Sequence, residues 1–373
     1  MKILFCGGGT GGHVTPAIAM AQIITRFSDE KPDITFIGRR GGAENDAVTR
    51  EGFRLLTLDV CGIRRSVSPK NFGAVLKALH ARSEAKRIIA EASPDLIVGT
   101  GGYVSWPVIS AGISKKIPTV IHESNAYPGL VTRLLGKKCT RVLLGYPEAK
   151  AFLRSKRNVR VVGNPIKTLT VGLTRDEARR RLGIGREDFF ILSFGGSLGA
   201  KKINSVIRDL MLDYSLSEAG VVHWHATGRA EFENINGALP RELRGRSKCR
   251  MLPYIEDMPV FLRAADLAIT RSGAMTVSEL AEAALPAILV PSPNVVADHQ
   301  YSNARAAAKA GGAVLIEEAK LTSSLLRKHI DRIRRDRALQ KRMSSGMRSM
   351  YSVDTPRMIF DSLYEAAASK RRK

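Results

Sequence analysis

The sequence predicts an α/β protein built from two doubly wound, parallel-sheet domains. Three observations predict it. Short apolar runs bounded by Gly or Pro alternate with amphipathic stretches along most of the chain. The layout of strand, glycine loop and helix begins a second time near residue 189. A chain of 373 residues is also longer than one comfortable core.

The first strands are "KILFCG" (2–7), "DITFIG" (33–38), "DLIVGTG" (95–101) and "PTVIHE" (118–123), continued by "RVLLG" (141–145) and "VRVVGNP" (159–165). They are short, rich in Ile, Leu and Val and bounded by Gly or Pro, as strands covered on both faces should be. Amphipathic runs at 15–26 and 71–92 supply crossover helices. The second series starts with "FFILSFGGSLGAKKIN" (189–204) and continues through "VVHWHATG" (221–228), "CRMLPYI" (249–255), "DLAITRSG" (266–273) and "PAILVP" (286–291). Between the two series, Gly163 and Pro165 break a strand, and the charged run from Arg175 to Arg181 reads as a solvated helix. Two Rossmann-type domains facing each other are the expectation, with ligands beyond the carboxyl ends of the strands, in the cleft between domains.

Composition narrows the partners. The chain is 44% hydrophobic and 25% charged, ordinary globular material. Its longest apolar runs, such as "AALPAILVP" (283–291), fall far short of the roughly 20 residues of a membrane span. A strand begins at once, with no basic segment leading into a cleavable apolar core, so a cytoplasmic protein is expected. Cys6, Cys61, Cys139 and Cys249 lie far apart with no CxxC pair, which argues against zinc and against disulfides. A net charge of +24 calls for a polyanionic partner: nucleic acid, an anionic membrane surface or a phosphate-bearing substrate. No zinc finger, RNP-type aromatic signature or basic-region helix is present, so no nucleic acid is expected.

Four glycine loops close strands. "GGGTGG" satisfies G-x-G-x-x-G through Gly7, Gly9 and Gly12. A dinucleotide site also wants an acid at the end of the second strand, where this chain has Arg39 and Arg40 and no acid before Glu44; those arginines leave an NADP-dependent oxidoreductase open. "GTGGYVSWP" (99–107), "GGSLGA" (195–200) and "RSGAMTVSEL" (271–280) follow the same logic, offering bare backbone N–H groups and the positive end of a helix. Any one of them is explicable as a tight strand–helix turn. The set points to a diphosphate.

His13 sits at the mouth of the first helix. An imidazole there is a base with a pKa near neutrality, or a capping group that hydrogen-bonds its own loop. His122 and Glu123 look like an acid–base pair, but adjacent strand residues point to opposite faces. His80, His223 and His225 show no constellation. In "SPKNFGAVLKALHARSEAKRIIAEA" (68–92), Phe72, Val75, Leu76 and Leu79 form one helical stripe among Lys70, Lys77, Arg82, Lys86 and Arg87. That suits a helix lying in anionic headgroups, and equally a helix packing its own core.

Taken in order, "GGGTGGHVTPAIAMA", "GTGGYVSWP", "IHESNAYPGLVTRLLGK", "GNPIK", "GGSLGAKKIN", "RSGAMTVSELAEAALPAILVP" and "DHQYSNA" resemble the MurG-type transferases of bacterial cell-wall synthesis. The resemblance runs over about residues 1–318. It implies a GT-B architecture, two Rossmann-like domains separated by a cleft. It further implies inverting transfer of N-acetylglucosamine from its UDP derivative to the C4 hydroxyl of the muramoyl sugar of undecaprenyl-diphosphate-linked lipid I, making lipid II. No metal ion or other cofactor is implied, and the place of action is the cytoplasmic face of the plasma (inner) membrane, held peripherally at its anionic surface. The implied domains are 1–165, facing acceptor and membrane, 166–348, binding the UDP-sugar, and 349–373, a helix returning to the first domain plus a basic tail.

By the same resemblance Thr10, Gly11 and Gly12 lie beside the transferred sugar, His13 is the general base, and Asn125 contacts the N-acetylglucosamine. Gly101, Gly102 and Tyr103 form an acceptor loop. Lys167 and Ser197 meet the diphosphate, and Ile255 presents backbone groups to uracil. Ala274, Met275, Thr276, Val277, Ser278 and Glu279 wrap the nucleotide, Glu279 taking the ribose hydroxyls, and Gln300 reaches the sugar hydroxyls. Lys167 stands where the family usually has arginine, keeping the charge but losing the bidentate fork. His299 stands where it commonly has a glutamine. A related transferase with another donor or acceptor shares most of these motifs.

Overall fold

The computed structural model describes residues 1–9, 11–42, 45–61, 70–166, 173–196, 199–215, 218–237, 248–294 and 298–369, with side chains 70–76 and 214–215 outside the description. The chain divides into two compact units, Met1–Lys167 with Val353–Lys373, and Thr168–Ser352.

The first unit holds strands β1 (Lys2–Cys6), β2 (Asp33–Arg39), β3 (Arg54–Leu58), β4 (Leu96–Gly99), β5 (Thr119–Glu123), β6 (Arg141–Leu144) and β7 (Val159–Val161). Its helices are α1 (Gly11–Phe27), α2 (Asn45–Arg50), α3 (Lys70–Ala92), α4 (Gly102–Ser114) and α5 (Leu130–Leu135). The sheet order is β3-β2-β1-β4-β5-β6-β7, all parallel. Alternation along β1 shows why its residues are all apolar. Ile3 and Phe5 join α1 on one face, whereas Leu4 and Cys6 join α3 and α4 on the other.

The second unit contains β8 (Phe189–Phe194), β9 (Val221–Ala226), β10 (Cys249–Leu252), β11 (Leu267–Thr270), β12 (Ala287–Leu289) and β13 (Ala313–Leu315). Around them lie α6 (Arg175–Leu182), α7 (Lys201–Leu210), α8 (Phe232–Gly237), α9 (Met258–Ala264), α10 (Ala274–Ala283), α11 (His299–Lys309), α12 (Ser323–Arg335) and α13 (Arg337–Arg348). The order β10-β9-β8-β11-β12-β13 is again wholly parallel. In both sheets the order reverses between two central strands, β1 and β4 in one, β8 and β11 in the other. Ligands of such sheets bind beyond the strand ends at that reversal.

The last helix, α14 (Thr355–Ala368), belongs to the first unit, where Ile359, Leu363 and Ala366 pack into the core beside α1. It begins at Thr355, just ahead of Pro356, whose missing N–H costs nothing in a first turn.

One local expectation is corrected. The charged run 175–181 does form a helix, α6, capped by Thr174 Oγ1 and closed by Gly183 in the left-handed region. It is not uniformly solvated, because Arg179 is 2% exposed. Its guanidinium donates to the carbonyls of Ala264 (3.1 Å), Gly185 (2.6 Å) and Asp188 (2.9 Å) and pairs with Asp266 at 2.5 Å. A buried cation survives only with its donors satisfied in this way.

Candidate active site

In the first unit the glycine loops after β1 and β4 meet at the strand reversal. Helix α1 starts at Gly11, so His13 lies in its first turn rather than ahead of it. The loops fit backbone to backbone. A Cβ on Gly102 would overlap the Gly8 carbonyl oxygen, one on Gly7 the Thr100 hydroxyl, and one on Gly9 would sit 2.5 Å from the Tyr103 ring. Gly101 (φ 103°) and Gly102 (φ 75°) adopt conformations that suit only glycine. Ser105 ties the same loops, lying 2.9 Å from the Cys6 carbonyl and 2.7 Å from that of Gly101 while accepting from the Gly101 N–H at 3.1 Å.

His13 completes this clamp. Its Nδ1 lies 3.0 Å from the Thr100 carbonyl oxygen, which only accepts, so Nδ1 carries the proton and Nε2 keeps its lone pair. Thr100 answers by donating Oγ1–H to the His13 carbonyl at 2.6 Å. The ring is half-buried, and burial lowers its pKa; the Glu123 charge and the Thr100 hydrogen bond oppose that in part. The neutral base is therefore the resting form near neutrality. Thr100 was invisible to the motif reading, being a small residue inside a run read for its glycines.

At the end of β5, Glu123 is 6% exposed. Its carboxylate accepts from Asn125 N–H (3.1 Å), Asn125 Nδ2 (3.1 Å), Gly129 N–H (2.8 Å) and Thr132 Oγ1 (2.7 Å). It shapes the turn into α5 and aims Asn125. His122 points the other way, donating Nε2–H to the Gly163 carbonyl at 3.1 Å, and burial lowers its pKa. Both members of the apparent acid–base pair are scaffold.

In the second unit the glycine loops after β8 and β11 flank the other reversal. Gly196 (φ 87°) and Gly199 (φ 75°) make the first turn into α7, and Gly273 leads directly into α10. Both helix starts offer unpaired N–H groups and positive potential to an anion. On α10, Ala274 and Val277 are buried, while Met275, Thr276, Ser278 and Glu279 keep partial exposure. Burial, then the neighbouring Glu282, pushes the Glu279 carboxyl up to about 7.

The β11 turn is gripped from behind. Ser272 Oγ donates to the Gln300 carbonyl (2.8 Å), Asn303 Nδ2 to the Ser272 carbonyl (3.1 Å), and Ser292 N–H to Gln300 Oε1 (2.9 Å). Arg271 donates to the carbonyls of Val290 and Pro291, both at 3.2 Å, and pairs with Glu318. Sequence reasoning passed over Arg271 and Asn303, although a cation directly after a strand was a usable signal. Ile255 is 4% exposed in the loop after β10.

His223 and His225, set aside as unconnected, are in fact linked. Ser193 Oγ lies 2.8 Å from His223 Nε2 and 2.9 Å from His225 Nδ1. Their spacing of two on a strand was the overlooked signal, since it puts both rings on one face.

Thr10, Lys167 and Ser197 lie outside the described residues, as do the side chains of Phe72, Val75 and Leu76. Leu79 is 51% exposed, and α3 buries the opposite face through Ala81, Ala85 and Ile88. Helix α5 exposes Leu130 (56%) and Leu134 (51%) close in sequence to Arg133, Lys137 and Lys138. Among the described residues no helix is long and apolar enough to cross a membrane, and no cluster of three or more His, Cys, Asp or Glu side chains is placed to hold a metal.

Residues 3–144 match the glycosyltransferase family 28 N-terminal domain, and residues 190–354 the C-terminal domain of that family. A Ruminiclostridium cellulolyticum protein is 36% identical over 365 residues, 98% of this chain and 100% of its own length. It is named UDP-N-acetylglucosamine--N-acetylmuramyl-(pentapeptide) pyrophosphoryl-undecaprenol N-acetylglucosamine transferase. A Carboxydothermus hydrogenoformans protein of the same name is 40% identical over 325 residues, 86% of this chain and 85% of the relative. Among solved structures, MurG of Acinetobacter baumannii superposes with a TM-score of 0.77 at 26% identity, covering 98% of this chain and 99% of that one.

Proposed function

The chain belongs to glycosyltransferase family 28, and from that premise we propose how it works. It is a UDP-N-acetylglucosamine-dependent hexosyltransferase that moves N-acetylglucosamine onto lipid I, the undecaprenyl-diphosphate-linked muramoyl peptide, to make lipid II for peptidoglycan. The single observation that carries the substrate assignment is identity spread over nearly the whole chain with transferases of that name. Membership also removes the NADP-dependent oxidoreductase reading of "GGGTGG".

In our reading the reaction is one displacement. The C4 hydroxyl of the muramoyl sugar attacks the anomeric carbon, the bond from that carbon to the diphosphate oxygen breaks, and UDP leaves, so the configuration inverts. His13 Nε2 takes the hydroxyl proton. The Thr100 carbonyl holds the Nδ1–H and so stabilises the imidazolium that forms, a role general-base catalysis requires. Gly101, Gly102 and Tyr103 line the acceptor side, with Gly11 and Gly12 at the exposed start of α1 beside the sugar. The α7 and α10 starts of the second unit, with Ser197, and Lys167 at the end of the first, receive the charge growing on the departing diphosphate. Glu279 takes the ribose hydroxyls, residues 274–278 and the Ile255 backbone hold the nucleotide, and Asn125 and Gln300 read the sugar.

The deciding assay supplies UDP-N-acetylglucosamine and a lipid I analogue and follows UDP release and lipid II. Product with the β-linkage, formed without added metal, is expected. A thermal shift produced by NADP and not by UDP would overturn the assignment.

We further propose peripheral attachment to the cytoplasmic face of the plasma membrane. Leu79, Leu130 and Leu134 supply apolar anchors, and the +24 net charge supplies attraction to anionic lipid. Leu79→Asp with Leu134→Asp should weaken binding to anionic vesicles while turnover of a soluble acceptor analogue stays intact. Unchanged vesicle binding, or loss of turnover together with binding, would remove these leucines from the anchor.

A further inference from the structure

Behind the β8 glycine loop runs a buried polar chain that the transfer reaction does not itself use. Ser193, Asn204, His223, His225 and Thr227 are all fully buried. Asn204, in the first turns of α7, has Nδ2 2.9 Å from the Thr227 carbonyl at the end of β9, and His225 Nε2 lies 3.1 Å from Asn204 Oδ1.

The direction of every hydrogen bond in this chain follows from one carbonyl. The Thr227 oxygen only accepts, so Asn204 must present its amide N–H₂ there and turn its oxygen to His225. His225 then carries its proton on Nε2 and accepts on Nδ1 from the Ser193 hydroxyl, 2.9 Å away. Ser193, having given its proton, accepts at Oγ from His223 Nε2–H at 2.8 Å. The Ser193 carbonyl, 3.2 Å from His225 Nδ1, is left as a contact with no proton between. Burial lowers the two imidazoles to about 3 and about 4, so both stay neutral and the order does not scramble near neutrality.

The free end of the chain abuts the loop. A Cβ on Gly199 would overlap that same Thr227 carbonyl, so loop and carbonyl are in contact. Asn204 N–H also donates to the Ala200 carbonyl at 2.8 Å, closing the turn from the helix side. We propose that Asn204 is a positioning residue: oriented by His225, it locks the β8–α7 glycine turn onto the end of β9 and holds the diphosphate-binding amides in place before the donor arrives. This rests on the reading of that loop as the cradle of the leaving group.

The test compares UDP with uridine, which lacks the diphosphate, by calorimetric titration and competition. Asn204→Ala is expected to weaken UDP about tenfold, as loss of one buried hydrogen-bond partner entails, and to leave uridine within about twofold. His225→Leu should do the same. His225→Gln should restore near-normal UDP binding, because its amide can donate to Asn204 and accept from Ser193. That pair decides the matter even if Asn204→Ala fails to fold. Equal losses for UDP and uridine, no loss for either, or a Gln variant no better than Leu would overturn the proposal. A wild-type protein that binds no UDP would instead sink the donor-site reading.

Discussion

Each unit carries two glycine loops at the strand reversal of its own parallel sheet, yet the two units fasten them differently. In the first unit the loops after β1 and β4 touch directly, glycine against backbone, and the imidazole of His13 is itself part of the fastening. In the second, the loops after β8 and β11 are held from behind, by the buried side chains of Asn204 and His225 for one, and by those of Ser272 and Asn303 with the Gln300 carbonyl for the other. The difference matches the two chemical tasks. A base must be fixed in tautomer and direction, so its ring is gripped at one nitrogen and left open at the other. A cradle for a departing diphosphate must keep its N–H groups unspent, so the grip is set back in the core.

Breaking each grip tests that contrast. The largest effect is expected from His13→Ala, which should cut turnover by about 10²–10⁴-fold while UDP binding persists; wild-type-like rates would remove the base role. Next comes a glycine pair. Gly102→Ala forces a left-handed backbone and a clash with the Gly8 carbonyl, and the displaced loop should cost about 10²-fold in turnover with UDP affinity kept. Gly199→Ala, with the same φ of 75°, should instead lose UDP binding. If both variants fail alike in both assays, the division of labour is wrong.

Glu279 gives a pH signature. Its folded pKa of about 7 is raised above the ordinary carboxyl value of 4.5, so its contribution to stability is present below the lower value and is lost as pH rises through about 7. Ribose hydroxyls need the carboxylate as acceptor, so UDP affinity should move the opposite way and tighten through that range. Glu279→Gln should weaken UDP about tenfold and flatten the pH dependence of both quantities. An unchanged profile would place Glu279 outside the site. The smallest effect belongs to Thr100→Val, which keeps shape and the carbonyl contact but loses the hydroxyl. About a fivefold drop in turnover, with UDP binding untouched, corresponds to one ordinary hydrogen bond.

The sequence by itself determined the two sheets, the restart near residue 189 and the four glycine loops. Those signals are local, because apolar runs and glycines report burial and backbone freedom at their own positions. Only the tertiary structure brought the loops together in pairs, since strand order sets β1 beside β4 and β8 beside β11 across long stretches of chain. It alone also paired His13 with Thr100, 87 residues apart, buried Arg179 in a helix that looked solvated, and joined two histidines through Ser193. Hydrogen-bond direction, tautomer and the desolvation that shifts a pKa depend on which distant groups arrive at one point in space, and no window of residues along the chain contains that.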